Sequence, residues 1–121
     1  METQLEKYTI DLTVPYPQYR PQLIIEVAPR QLFQLFGYPL LRGNFDGSVG
    51  TYIFVSQSND VIAIDYLTET VWQLCSGFIR KRFWRSRAIE RLSIEAENKE
   101  IADAFSDWLS HAMKCKICDW P

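Results

Sequence analysis

GTYIFVSQSNDVIAIDYL, residues Gly50 to Leu67, holds two apolar runs of strand length on either side of the polar tetrad Gln57-Ser58-Asn59-Asp60. Val, Ile, Tyr and Phe suit a pleated surface, and Ser-Asn-Asp suits a tight reversal because its side chains bond to nearby backbone. The stretch therefore predicts an antiparallel hairpin, apolar on both faces and so covered on both, at the centre of a sheet.

Working outward, Tyr8–Val14 alternates strictly between apolar and polar residues and predicts a half-buried strand. Pro15, Pro17 and Pro21 hold an extended connector; the segment lacks the P-x-x-P spacing of an adaptor ligand. Leu23–Val27 predicts a second strand. Pro29, tolerated at a first helical position, and Gly37, suited to a helix end, bracket a short helix with Leu32, Phe33, Leu35 and Phe36. A further strand is expected over 38–45. Thr68 or Thr70 is placed to cap a helix through Val71, Trp72, Leu74 and Cys75, which Gly77 ends or bends. Ala88–Glu95 predicts another strand. The last helix, about 98–114, is the clearest: Asn98 caps it, and Ile101, Phe105, Trp108, Leu109, Ala112 and Met113 share one face. Hairpins without regular βαβ alternation indicate one α+β domain over 1–121, mainly an antiparallel sheet packed by two or three helices.

The 47% apolar and 14% aromatic content fits a packed core of this length. No apolar run approaches the roughly 20 residues of a membrane helix, and METQLEKYTIDLTV has no basic start followed by an apolar block. The cytoplasm is the expected compartment, and the three cysteines, Cys75, Cys115 and Cys118, are expected as reduced thiols rather than a disulfide framework.

The net charge of −2 conceals two blocks: six of the 13 basic residues fall in Arg80–Arg91, and Glu95, Glu97, Glu100, Asp103 and Asp107 follow with only Lys99 among them. The first block, FIRKRFWRSR, interleaves Arg80, Lys81, Arg82, Arg85 and Arg87 with Phe83 and Trp84. Cations neutralise phosphates and exposed aromatics stack on bases, so Arg80, Lys81, Arg82, Trp84, Arg85 and Arg87 are the candidates for a nucleic-acid surface. The stretch lacks the second Gly/Ala and the spaced aromatics of an RNP1 pattern. In the bland alternative the aromatics anchor a connector and the arginines point outward or pair with the acidic helix. The second block, with Asp65 and Glu69, supplies a negative patch suited to a basic protein partner.

Chemistry finds less support. His111, the single histidine, sits one helical turn from Cys115, but a helix C-terminus raises a thiol pKa and disfavours a nucleophile. Cys115-Lys116-Ile117-Cys118 follows a helix instead of preceding one, unlike a thioredoxin motif. A zinc site would need His111, Cys115, Cys118 and distant Cys75 together. Gly43, Gly47 and Gly50 match neither phosphate-loop pattern. The chain therefore reads as non-enzymatic, with no cofactor and no resident metal.

The N-terminal strands, Gly50-Thr51-Tyr52-Ile53-Phe54 in a hairpin ending Ile64-Asp65-Tyr66, the Phe83-Trp84 pair and the closing acidic helix from Glu97 to Asp107 resemble the small cytoplasmic immunity proteins of bacterial contact-dependent inhibition and polymorphic-toxin systems. That resemblance implies a rigid inhibitor that binds a cognate toxin and blocks its active site. Nuclease toxins have basic clefts, which an acidic patch can steer toward and plug. Asp65, Glu69, Glu95, Glu97, Glu100, Asp103 and Asp107 are the residues expected to meet it. The basic block departs from a uniformly acidic inhibitor.

Overall fold

A computed structural model describes residues 7–15, 18–40, 48–67 and 77–121, with only the backbone described at 48–49, 66–67 and 77–80. The expected α+β architecture is present. Strands β1 (Tyr8–Ile10), β2 (Pro21–Val27), β3 (Ser48–Ser56), β4 (Val61–Leu67), β5 (Glu90–Glu95) and β6 (Lys116–Asp119) accompany helices α1 (Pro29–Phe36), α2 (Gly77–Trp84) and α3 (Lys99–Ala112). The strands form one sheet in the order β1-β3-β4-β5-β2-β6, with every neighbouring pair antiparallel.

β3 and β4 are the expected hairpin, in register from Thr51↔Asp65 to Val55↔Val61. The turn works as its residue types suggest. Asn59 adopts φ 67°, and the Ser56 hydroxyl accepts from Ser58 N at 3.1 Å and from Asp60 N at 3.0 Å. Both faces of the hairpin are buried. Tyr52, Phe54, Ile62 and Ile64 join the helices in one core, while Ile53 and Ala63, on the alternate face, are as inaccessible.

The core lies between the sheet and the three described helices. Leu23, Ile25, Val27, Leu92 and Ile94 line the sheet side; Leu32, Trp84, Ala102, Phe105, Trp108 and Leu109 come from the helices. An aromatic chain runs through it: Trp108 stacks on Phe36 at 6.2 Å, Phe36 meets Phe54 at 5.1 Å, and Tyr52 packs edge-on to Trp84 at 5.2 Å. Burying each such side chain contributes on the order of 1.5–3 kcal/mol, which makes this layer the main source of stability. Tyr52 also donates its hydroxyl hydrogen to the Gly37 carbonyl. Gly37 closes α1 at φ 75°, with its N–H bonded to Phe33 O at 2.8 Å.

Several expectations are corrected. β1 ends at Ile10 instead of Val14, because the Asp11 carboxylate turns back to accept from Thr13 N at 3.0 Å and from its hydroxyl, making a local turn that competes with the ladder. Of the strand expected over 38–45, Leu40 makes a single bridge to Thr51 and Tyr38 and Pro39 are not in a strand; residues 41–45 lie outside the described residues, as does the helix expected through Val71–Cys75. Gly77 is helical, where an end or a bend was expected, and most of the basic-aromatic stretch belongs to the same helix; the residues just before Gly77 lie outside the described ones. The segment Lys116–Asp119, for which no strand was expected, forms β6 and pairs with β2 from Leu23↔Asp119 to Glu26↔Lys116.

Candidate partner-binding faces

α3 presents its charges because its other side is committed to the core. Phe105 and Leu109 are fully buried, and Asn98 caps the helix by accepting from Ile101 N at 2.9 Å. Glu97, Glu100, Asp103 and Asp107 are exposed on the outer side and around its start. Lys99 reaches Asp103 and Asp119 at 3.2 Å each, tying α3 to β6. Its hydrogen bonds to Asp119 and Asp103 hold the ammonium above its ordinary pKa. Among the described residues Glu97, Glu100 and Asp107 enter no ion pair, so three carboxylates remain available to a basic partner.

Asp65 and Glu95 do not share that face. Both are buried, at 0% and 4% exposure, on the side of the sheet away from the helices. Asp65 stands opposite Ser93, whose hydroxyl lies 3.2 Å from the Asp65 carbonyl oxygen and 3.1 Å from Glu95 Oε2. In β4 and β5 the alternation that sends Ile64 and Ile94 to the helices sends these carboxylates the other way. They take part in the sheet's own interactions, and the expectation that they meet a partner alongside α3 is corrected. Glu69 lies outside the described residues.

The basic block divides similarly. Lys81, Arg82, Arg85 and Arg87 are exposed, and among the described residues none has a carboxylate partner. Lys81 Nζ lies 5.8 Å from the Tyr38 ring centre and Arg85 Cζ lies 6.0 Å from that of Phe33, so these cations rest on aromatic rings of the α1 segment. Trp84, expected to stack on bases, is wholly buried against Tyr52 and Phe83. That stacking role is corrected. Arg80 belongs to α2, and its side chain is not among those described. The arginines do not pair with the acidic helix within the described residues.

The groups that suggested chemistry do not assemble. His111 Nδ1 contacts the Asp107 carbonyl oxygen at 2.7 Å, a local bond one turn back along its own helix. Cys115 is half-buried against the core, and burial raises its thiol pKa, the wrong direction for a nucleophile at neutral pH. No group of three His, Cys, Asp or Glu residues suited to a metal ion occurs among the described residues. Cys75, the fourth member of the zinc set, lies outside them, as do Gly43 and Gly47. No helix among the described residues is long and apolar enough to cross a membrane.

One feature was not foreseen. A cleft of about 250 Å³, lined by Ile24, Asp65, Arg91, Ser93 and Trp120 among others, opens on the sheet face away from the helices. Beside it Glu26 links three strands, meeting Arg91 Nε at 3.4 Å and Lys116 Nζ at 3.8 Å. The available signal was the alternation of Lys116, Ile117, Cys118 and Asp119, too short to separate from the C-x-x-C reading. The chain matches no protein family, no curated protein and no solved structure.

Proposed function

We propose that this chain is a non-enzymatic binding protein that neutralises a basic cognate toxin, as the immunity proteins it resembles do, and that it acts in the cytoplasm. One observation carries the reading: Glu97, Glu100, Asp103 and Asp107 stand exposed along a capped helix whose opposite side is locked into the core. A surface held this rigidly loses little conformational entropy on docking, and its charge steers a partner whose cleft is built for phosphates. A nuclease is the toxin class that fits. The partner is identified by capturing the tagged chain from its native cell, with and without nuclease treatment. A single stoichiometric basic protein that survives both nuclease and moderate salt is the expected result. Replacing Asp103 and Asp107 by lysine then weakens that complex about tenfold or more; unchanged affinity would remove this face from the reading.

The exposed cations in and just after α2, without a carboxylate partner among the described residues, favour a second reading, a nucleic-acid surface at Lys81, Arg82, Arg85 and Arg87. Without an exposed tryptophan it would be a phosphate-reading surface, with affinity falling steeply as salt rises. Titration of a fluorescent RNA and DNA of mixed sequence decides it. Binding that disappears with Arg82→Glu and Arg85→Glu would favour this reading over the inhibitor.

A further inference from the structure

β6 forms one edge of the sheet, and one contact fixes its hydrogen-bonding parity. Trp120 N donates to Gln22 O at 3.2 Å, directly opposite by the β2–β6 register. In an antiparallel ladder, opposed residues alternate between exchanging both backbone bonds and exchanging none. Residues 116, 118 and 120 therefore turn their backbone groups toward β2, and Ile117 and Asp119 turn theirs outward. Among the described residues no strand lies beyond them. The same alternation sends the side chains of Lys116, Cys118 and Trp120 to the face away from the helices, where Lys116 reaches Glu26 and Trp120 lines the cleft.

We propose that two copies of this chain join edge to edge through β6, antiparallel about a two-fold axis at Cys118. An axis normal to the sheet keeps each side chain on its own face, and directly opposed residues share a face. Only residues of equal parity can then oppose one another. A centre at Asp119 would set two carboxylates against each other, which is unfavourable. A centre at Ile117 would leave one fully bonded pair within the strand and place Lys116 against Cys118.

With the centre at Cys118, Ile117 of each copy exchanges both bonds with Asp119 of the other, giving four new backbone hydrogen bonds. Lys116, its side chain 78% exposed, then faces Trp120 of the second copy, one of three exposed large apolar residues among those described, at 43%. An ammonium over an indole is favourable, and the symmetry makes the contact twice. Short length and a lysine ordinarily guard an edge strand against pairing; here the opposing tryptophan turns the lysine into a contact. The two six-stranded sheets become one continuous sheet. Lys116 of the second copy also arrives at the rim of the Trp120 cleft.

This register leaves the two Cys118 residues as a non-hydrogen-bonded pair with Cα atoms about 4.5 Å apart, within the range a disulfide spans. The test uses the full chain. In reductant, light scattering across a concentration series should show the mass rising from 14.2 kDa toward twice that value. Brief oxidation with copper–phenanthroline, in which the two thiols give up two protons and pass two electrons to the copper oxidant, should yield Cys118–Cys118 as the dominant cross-link by mass spectrometry.

Asp119→Pro removes an outward N–H while leaving the bonds to β2, a position where an edge strand tolerates proline. It should abolish the dimer and slow the cross-link by about tenfold or more. Trp120→Lys, at an exposed position, sets like charges opposite Lys116 in both copies and should weaken association about tenfold. A mass of 14.2 kDa at every concentration would overturn the proposal. So would cross-links through Cys115 or Cys75, or a dimer indifferent to both substitutions.

Discussion

α2 and α3 each set a tryptophan into the same core, Trp84 and Trp108, and the two are joined through Tyr52, Phe54 and Phe36. Their outer surfaces are opposite: α2 shows Lys81 and Arg82, with Arg85 and Arg87 just beyond it, whereas α3 shows Glu100, Asp103 and Asp107. Packing demands only that one side of each helix be apolar. It leaves the sign of the outer charge undetermined, so the contrast between these surfaces is information about partners and not about the fold. A chain with a net charge of −2 that keeps its cations and carboxylates apart retains two separate electrostatic footprints.

The comparison breaks first if α2 is not a core helix. Trp84→Ala removes the largest side chain fully buried among the described residues and should cost about 3–5 kcal/mol, read as a fall in the urea midpoint. A loss near that of an exposed substitution would mean that α2 merely lies on the sheet. Gly50→Ala probes the same junction from the strand side. Gly50 sits at φ 149°, and an added Cβ would lie 2.6 Å from Trp84 Nε1 and 3.0 Å from Pro39 Cγ. Overpacking there should cost about 1–3 kcal/mol. Trp84→Phe should relieve part of it, because the indole nitrogen is the nearest obstacle; additive losses in the double variant would refute that contact.

α3 answers to a smaller lever. Asn98→Ala removes the acceptor of the Ile101 N–H and should cost about 1 kcal/mol. Eight residues of α2 are described against α3's fourteen, and α2 offers no comparable handle among its described side chains. The difference explains what could be read in advance. The spacing of Ile101, Phe105, Trp108 and Leu109 over four turns declares a helix. In α2 the core residue Trp84 stands directly beside Phe83 among Arg80, Lys81, Arg82 and Arg85, and that density of cations reads as a connector. The hairpin was legible because its turn chemistry and its runs agree. β6 was not, since four residues pairing with a strand about ninety positions earlier leave no local mark.

The candidate site was half legible for a related reason. Charge runs in sequence identified Glu97, Glu100, Asp103 and Asp107 on the outside of α3. The same run included Glu95, which strand alternation turns into the sheet along with Asp65. In the sheet, period 2 places these carboxylates on the side away from Ile64 and Ile94. Whether that side was covered depended on the whole chain.

pH separates the core beneath the helices from their surfaces. Burial raises the Tyr52 hydroxyl far above its ordinary pKa. Its unfolded value is about 10, so above that pH the unfolded chain releases a proton that the folded chain keeps. Tyr52 therefore contributes stability that is complete below pH 10 and is lost as pH rises, by at most about 1.4 kcal/mol per pH unit. Cys115, raised in the same way, begins a similar loss lower, near pH 8.5. Tyr52→Phe should flatten the upper part of the urea-midpoint profile, and Cys115→Ser the lower part. A profile unchanged by Tyr52→Phe would place that hydroxyl in water.

The smallest expected effect on stability is the most informative about function. Asp103→Lys with Asp107→Lys on α3, and Arg82→Glu with Arg85→Glu at α2, all fall on exposed positions, and each pair should leave the urea midpoint nearly where it was. Reversing the charge of one helix surface should abolish one class of binding and spare the other: the acidic surface for a basic protein, the basic surface for phosphates. If both pairs weaken the same complex, one partner spans both footprints, and the separation of charge along this chain defines one extended interface. If a pair shifts the midpoint substantially, its charges are part of the fold, and the outer surfaces of α2 and α3 are not independent of what lies beneath them.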